Sequence, residues 1–280
     1  MATPIGNLAD LTLRAIHVLG LVDAVACEDT RVSAGLLRHL GLDKPLFALH
    51  QHNETQAAAL VLQRLAQGQR VAYVSDAGTP AVSDPGAALV AQVASAGCRV
   101  LPIPGASSAL AALSVAGDAR SSGFEFIGFL PARGAERAAA LRRLGQGTVA
   151  QLLFEAPHRI ETLARELAAL APQRRLTLCR ELTKQFETVA TMRAAELPVW
   201  LAAAANRLRG EFVLVLHLPE PADLPGDGLP AAALAMLGVL LRELPLKQAV
   251  SLAAELSGAP RNALYQAALQ RKAGVPDAAE

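Results

Sequence analysis

Runs of apolar, largely β-branched residues alternate with alanine- and leucine-rich stretches along most of the 280-residue chain. That alternation predicts an α/β fold in which mainly parallel strands are covered by helices. The apolar runs predict strands at 24–27, 70–75, 99–103, 149–154, 176–180 and 212–218. The helical stretches carry their own end signals. Asp10 or Thr12 is placed to cap a helix that stops at Gly20, and Asn53 followed by Gln56 makes a capping box. Ser107 or Ser108 caps a helix that ends near Gly117.

Two breaks interrupt this rhythm. SSGFEFIGFLPAR, at 121–133, sets glycine, proline and three of the seven phenylalanines around a short strand-like core, which suits a crossover between domains. PEPADLPGDGLP, at 219–230, is rich enough in proline and glycine to be a semi-rigid linker. The expected organisation is an α/β domain over 1–118, a second over 119–220, and a small all-helical domain over 228–275. In the last, Leu246, Val250 and Leu256 recur at roughly helical spacing and a Ser-Gly-Ala-Pro turn precedes Arg261 and Tyr265. This has the form of a helix-turn-helix, which grips nucleic acid or docks on its own protein.

A hydrophobic content of 52% is ample for more than one core. No apolar run reaches the roughly 18 residues a membrane span needs; the best stretch, 229–241, contains Pro230 and Gly238 and reads as a packed helix. The N-terminus lacks a secretion signal, and Cys27, Cys98 and Cys179 are too far apart for a disulfide framework or a metal motif. A cytoplasmic protein with reduced thiols is expected. The formal charge of +1 gives no global attraction to nucleic acid, so any RNA contact must be a local patch. RGAERAAALRR, at 133–143, is such a patch, with four arginines against one glutamate.

Several motifs can be set aside. The fragments GQGTVA and GDGLPA fit a loose G-x-G-x-x-A, but neither follows a strand and opens a helix. No P-loop and no G-x-S-x-G elbow occurs. His50 and His52 beside Glu54 lack the further ligands that would complete a metal shell, so no metal is expected.

What remains is concentrated at three predicted strand ends: ATPIGN at 2–7, SDAGTPAVSDPG at 75–86 and PIPGASSAL at 102–110. Beyond the carboxyl ends of parallel strands, missing side chains let main-chain amides and carbonyls approach a ligand. Three such loops imply one pocket walled by main chain. Asp76 stands where it can meet a ligand amine or hydroxyl. The absence of a lysine-rich cradle argues against a nucleoside triphosphate and leaves adenosyl cofactors open.

These strings, taken with VACEDTR, HQHNE, FIGFLPAR, FEAPHR, CRELTK and GEFVLVL in that order and spacing, resemble the bacterial small-subunit ribosomal RNA ribose 2′-O-methyltransferases of the RsmI type, in the tetrapyrrole methylase superfamily. The resemblance extends from residue 2 to 218 and continues into the helical tail. It implies two α/β domains, the first sheet mainly parallel and the second mixed, with an S-adenosylmethionine pocket in the cleft between them. It further implies a homodimer that methylates a cytidine ribose of 16S rRNA near the decoding centre. Carried onto this chain, the cofactor walls are Pro4, Ile5 and Gly6 on the first loop, Asp76, Ala77, Gly78 and Thr79 on the second, and Ser107 and Ser108 on the third. Phe154, Leu182 and Phe212 contribute apolar or main-chain contacts from the second domain. Family members have a complete strand before ATPIGN, where here Met1 stands at once; a start further upstream is therefore expected.

Methyl transfer to a ribose hydroxyl needs in-line placement and a route for the proton, and a positioned base adds ~10²–10⁴-fold. Glu28, Asp29, Arg31, Glu54, Glu181 and Lys184 are the polar candidates, each equally able to form an internal ion pair. The assignment adopted is that Asp29 or Glu54 handles the proton while Arg31 and Lys184 orient phosphate or ribose. A tetrapyrrole C-methyltransferase and a non-catalytic ribosome assembly factor are the alternatives; the HQHNE, EAPHR and RELTK strings and the helical tail favour RNA.

Overall fold

The computed structural model describes residues 1–49, 54–220, 229 and 231–273. Contacts divide the chain after Leu218 into two compact units. The first opens with α1 (Leu13–Leu21), β1 (Ala24–Cys27), α2 (Thr30–His39), β2 (Leu46–Ala48), α3 (Glu54–Ala66), β3 (Val71–Val74), α4 (Ala87–Ser95) and α5 (Ser108–Ala116). Its strands form a parallel sheet in the order β2-β1-β3. All four residues of the central β1 are buried, as a strand covered on both faces requires. Val25 and Cys27 pack with Leu19 and Leu37, whereas Ala26 turns to Leu49, Val61 and Leu89 on the other face.

From α5 the chain passes to a second sheet through residues 117–123, beside the boundary expected at 118. There follow β4 (Phe124–Phe129), α6 (Gly134–Gly145), β5 (Ala150–Glu155), α7 (Ile160–Leu170), β6 (Arg175–Arg180), β7 (Thr188–Arg193), α8 (Leu197–Ala202) and β8 (Phe212–Leu216). The sheet runs β4-β5-β8-β6-β7 and is mixed: β4 and β5 are parallel, and the remaining pairs are antiparallel. One face, with Leu153, Leu178 and Leu214, buries against Leu144, Leu163 and Leu167 of α6 and α7. The opposite face, with Leu152, Val213 and Val215, receives Ala109 and Ala112 of α5. Thus α5 begins on a loop of the first sheet and buries its alanine stripe on the second, joining the two sheets in one unit.

Thr12 caps α1, its hydroxyl accepting from the Ala15 amide at 3.1 Å. Ser107 occupies the N-cap of α5 without a side-chain cap bond, and Gly117 closes that helix in the left-handed region at φ 69°. The capping box at Asn53 lies outside the described residues. The strand expected at 99–103 is absent: this segment is irregular, and Val100 and Leu101 are exposed. Its neighbour is the start of the chain, where the terminal amine donates to the Tyr73 carbonyl and the Ala2 amide to that of Ile103, too few bonds to make a ladder. Two strands were not expected: three-residue β2, and the edge strand β7, whose alternate residues face solvent.

The second unit contains α9 (Ala231–Glu243), α10 (Leu246–Ser257) and α11 (Arg261–Ala273), all helical as expected. Leu237, Val250, Ala253 and Leu264 form its core. Gly258 ends α10 at φ 67°, a conformation that favours glycine, and provides the turn into α11. Leu256 is 65% exposed and does not join the apolar stripe of Val250.

Candidate functional site

The three glycine-rich loops converge at the carboxyl end of the first sheet. Thr3 and Gly78 exchange both main-chain hydrogen bonds, at 2.9 and 3.0 Å, and form an isolated antiparallel bridge. The Thr3 hydroxyl donates to the Ser75 carbonyl at 3.1 Å and the Ser75 hydroxyl to that of Gly78 at 3.0 Å. The third loop is tied in by Thr79, whose hydroxyl donates to the Ala106 carbonyl at 3.0 Å. Close approach explains the small residues: a Cβ at Gly105 would lie 2.9 Å from that of Ala2, and Gly78 sits at φ 80°.

Two hollows adjoin this strip of main chain. One, of about 250 Å³, lies between the first loop and α2 and is lined by Thr3, Pro4, Gly6, Val32, Ser75 and Asp76 among others. The other, of about 40 Å³, is formed by Ala77, Gly78 and Thr79 with Asp84, Ser107, Ser108 and Phe154. Sequence-predicted residues from both sheets therefore meet here. Ile5, Leu182 and Phe154 pack around one apolar cluster. Gly6 faces the turn after β6 so closely that an added Cβ would fall 2.4 Å from Lys184 Cγ and 3.1 Å from the Leu182 carbonyl oxygen.

Phe212 lies apart from this cluster. Its side chain is buried in the α6–α7 core on the far face of the second sheet, and its main chain is paired to Glu155 and Arg180 in the ladders. Strand parity explains this: Val213 and Val215, not Phe212, face α5.

Charge is concentrated where β1 and β3 end. The Asp29 amide donates to Asp76 Oδ1 at 2.9 Å, and the Asp76 amide in turn donates to the Glu28 carboxylate, a reciprocal clamp between the two strand ends. Burial raises the Glu28 pKa, and the neighbouring charges of Asp76 and Asp84 add to the rise. Asp84 is raised for the same reasons, burial first and Asp76 second. Asp29 behaves oppositely. It caps α2 and grips Arg31 through both oxygens, which lowers its pKa to about 2. A carboxylate so committed is a poor proton acceptor; its role in the geometry is to anchor Arg31, whose side chain is 89% exposed. Glu54 opens α3, and its side chain lies outside the described residues.

On the second sheet, Lys184 Nζ bridges Glu181 at 3.0 Å and Glu211 at 2.8 Å. Burial works against the Lys184 charge, but the two carboxylates outweigh it and raise its pKa. Burial also opposes the Glu181 charge, yet the Glu211 amide and Lys184 hold it below its ordinary range. The same turn is strained: Glu181 and Thr183 adopt φ of 52° and 65°, values that side chains disfavour. Thr183 Oγ1 is buried without a hydrogen-bond partner among the described residues, beside Gly6. An orphan hydroxyl, an uncapped α5 start at Ser107 and a glycine-walled hollow suit an adenosyl ligand with hydroxyl and amino groups.

Glu28 and Asp84 were missing from the predicted cofactor set. EDT and SDP are ordinary turn sequences, and only the parallel pairing of β1 with β3 brings their carboxylates together. The basic patch also changes. Arg137 is 6% exposed and makes a bidentate pair with Glu166 at 2.6–3.1 Å while donating to the Pro131 carbonyl. Its periodicity puts it on the buried face of α6, so Arg133, Arg142 and Arg143 are the exposed remainder. Among the described residues no metal-binding cluster occurs, and no helix is long and apolar enough to cross a membrane.

A parallel sheet followed by a mixed one, with converging loops walling the cleft, is the architecture of a methylase, and the chain belongs to the tetrapyrrole (corrin/porphyrin) methylase family, whose model matches residues 2–198. Residues 227–272 match the RsmI C-terminal HTH domain. The chain is similar over nearly its whole length to proteins named ribosomal RNA small subunit methyltransferase I. The one from Pseudomonas aeruginosa is 46% identical over 276 residues, covering 97% of this chain and 96% of its own. That from Escherichia coli O157:H7 is 45% identical, with 96% and 93% covered. Solved structures share the fold: diphthine synthase at TM-score 0.60 and 16% identity, covering 77% of this chain and 88% of its own, and a cobalt precorrin-4 methyltransferase at 0.58 and 16%, covering 77% and 92%.

Proposed function

We propose that this chain is an S-adenosylmethionine-dependent methyltransferase that modifies the 2′-oxygen of a cytidine ribose in 16S rRNA of the small ribosomal subunit, near the decoding centre. The observation that carries the reading is the convergence of the three loops into a main-chain cradle, in a chain 46% identical end to end to a named small-subunit rRNA methyltransferase. When bound, the cofactor supplies an electrophilic methyl group on a sulfonium. The loops around Gly78 and Ser107, with Phe154 from the second sheet, would hold it.

The protein's own contribution is placement and charge. The carboxylates of Glu28, Asp76 and Asp84 give the cleft a negative field that favours a cationic donor over its neutral product. Arg31, anchored by Asp29, presents its guanidinium to a phosphate at the rim. Lys184, held between Glu181 and Glu211, orients the ribose. With Asp29 committed to Arg31, Glu54 is assigned the proton. Arg133, Arg142 and Arg143 on α6 and the exposed Arg261, Asn262 and Tyr265 on α11 supply further RNA contacts. The reading places the enzyme in the cytoplasm as a homodimer, and exposed apolar side chains such as Leu13, at 86%, support a self-association surface.

The test is tritium transfer from S-adenosylmethionine to immature small subunits, with ribose-methylation mapping of the product and a precorrin-type substrate in parallel. Methyl incorporation at a cytidine 2′-oxygen supports the reading, and replacing Glu54 by glutamine is expected to slow single-turnover transfer by ~10²-fold or more. Incorporation into the tetrapyrrole alone, or into neither, overturns it.

A further inference from the structure

The larger hollow does more than widen the cofactor cleft. It is lined by different residues from the smaller hollow, although the 75–79 loop contributes to both. At about 250 Å³ it is somewhat below the ~300–1,000 Å³ typical for drug-sized ligands, which matches a smaller occupant. Its lining is divided. Pro4, Leu8, Val32 and Leu36 are apolar, whereas Thr3, Ser75 and Asp76 stand together at the end that meets the shared loop. We infer that this hollow receives the acceptor nucleoside, turned out of its RNA strand, with the base against the α2 face and the ribose toward Asp76. The inference rests on the methyltransferase reading and adds to it where the substrate sits.

A second observation points the same way. Gly35 lines the hollow from the middle of α2, where glycine costs helix stability relative to alanine. Nothing in the fold asks for it: its φ is ordinary, and an added Cβ would meet no heavy atom within 4 Å among the described residues. Gly35 is exposed, and the side chain it lacks leaves open space beside the hollow that it lines. A flat ring lying on the helix backbone makes use of that room.

Charge decides which part of the nucleotide enters. Asp76 lines the inner end and Glu28 stands beside Asp76, a field that disfavours phosphate but accepts neutral hydroxyls. Asp76 uses Oδ1 for the Asp29 amide, and a carboxylate offers about four acceptor sites, so a ribose hydroxyl can share it. The phosphates stay at the rim, where the exposed Arg31 stands one residue before Val32. Extruding a nucleotide is the usual way for an enzyme to reach an atom that the strand would otherwise shield.

The experiment fills the hollow without touching the smaller one. Gly35→Leu and, from a neighbouring position on the same helix, Val32→Phe are compared with the full-length wild type and with Gly35→Ala as a helix control. Thermal unfolding reports folding, calorimetry with S-adenosylmethionine reports donor binding, and tritium transfer to immature small subunits gives kcat and KM. The expected result is unchanged folding and donor affinity, with kcat/KM for the subunit reduced by about 100-fold in both filled variants. Transfer by the wild type and by both fillers alike overturns the placement alone. Loss of donor binding by a folded filler also overturns it, because the hollow would then be part of the donor site. Absence of transfer by the wild type overturns the substrate reading and this placement together.

Discussion

Replacing Gly6 by alanine tests whether the first loop and the second sheet are locked at Lys184. The added Cβ would fall 2.4 Å from Lys184 Cγ, 3.0 Å from Thr183 Oγ1 and 3.1 Å from the Leu182 oxygen. Carbon atoms in contact prefer ~3.5–4.0 Å, so Lys184 Cγ has to retreat by roughly 1 Å or more. It cannot swing freely, since Nζ is held by Glu181 and Glu211 and the preceding residues already occupy left-handed conformations. Overpacking of this kind costs about 1–3 kcal/mol. At the central value of about 2 kcal/mol, a unit of this size melts about 4–8 °C lower. The reasoning is checked by a double-mutant cycle. Lys184→Ala removes Cγ, and the two contacts that remain are tight but tolerable, so Gly6→Ala should cost at least about 1 kcal/mol less in that background. Thermal and urea unfolding of the four chains measures the coupling. If Gly6→Ala melts with the wild type, or the two losses add within about 0.5 kcal/mol, the lock is not where the distances put it.

Two further outcomes follow from the charges. Arg137→Ala should cost about 1–3 kcal/mol, because it strands Glu166 and the Pro131 carbonyl while Glu155 keeps Arg159, whereas Arg142→Ala and Arg143→Ala should leave the melting point in place and each lower the salt slope of RNA binding by about 1; equal effects on stability from all three would contradict the burial of Arg137. Asp84→Asn should raise the melting temperature at about pH 7, and Glu28→Gln likewise. A carboxylate whose folded pKa is raised is penalised when ionised, so the wild type carries that penalty above the raised pKa and loses it as pH falls through the ordinary value of 3.8. The advantage of the asparagine should therefore vanish near about pH 3, and a gain that persisted there would assign it to packing instead.

Much of the scaffold is legible in the residues because buried strands announce themselves. Residues 24–27, 149–154 and 212–218 are apolar apart from Gln151 and His217, and each lies in or overlaps a strand flanked on both faces. β2 has only three residues and no distinctive run, and β7, TVATMR, mixes polar and apolar residues without strict alternation at an exposed edge, so neither stands out against loop sequence. The overreading at 99–103 has the opposite cause: a β-branched, apolar segment becomes a strand only if a neighbour offers a ladder, and here the start of the chain offers the single bond from the Ala2 amide to the Ile103 carbonyl. At the site, glycine and proline mark the three loops in the sequence, because main-chain approach demands small residues locally. The partners of charged groups are not local. Glu181 and Lys184 are three residues apart, but Glu211 joins them from the start of the strand that pairs with β6, and Arg137 meets Glu166 only because α6 packs beside α7.

A cleft built from carbonyls, amides and absent side chains has an unusual response to mutation. Side-chain truncation has nothing to remove at Gly6, Gly78 or Gly105, where alanine instead adds a methyl group, and Ala77 is alanine already. The informative changes run the other way, by adding a methyl group or a ring. Tolerance to loss and intolerance to gain are thus the same property of this protein, and at these glycines an alanine scan measures crowding, not a missing side chain.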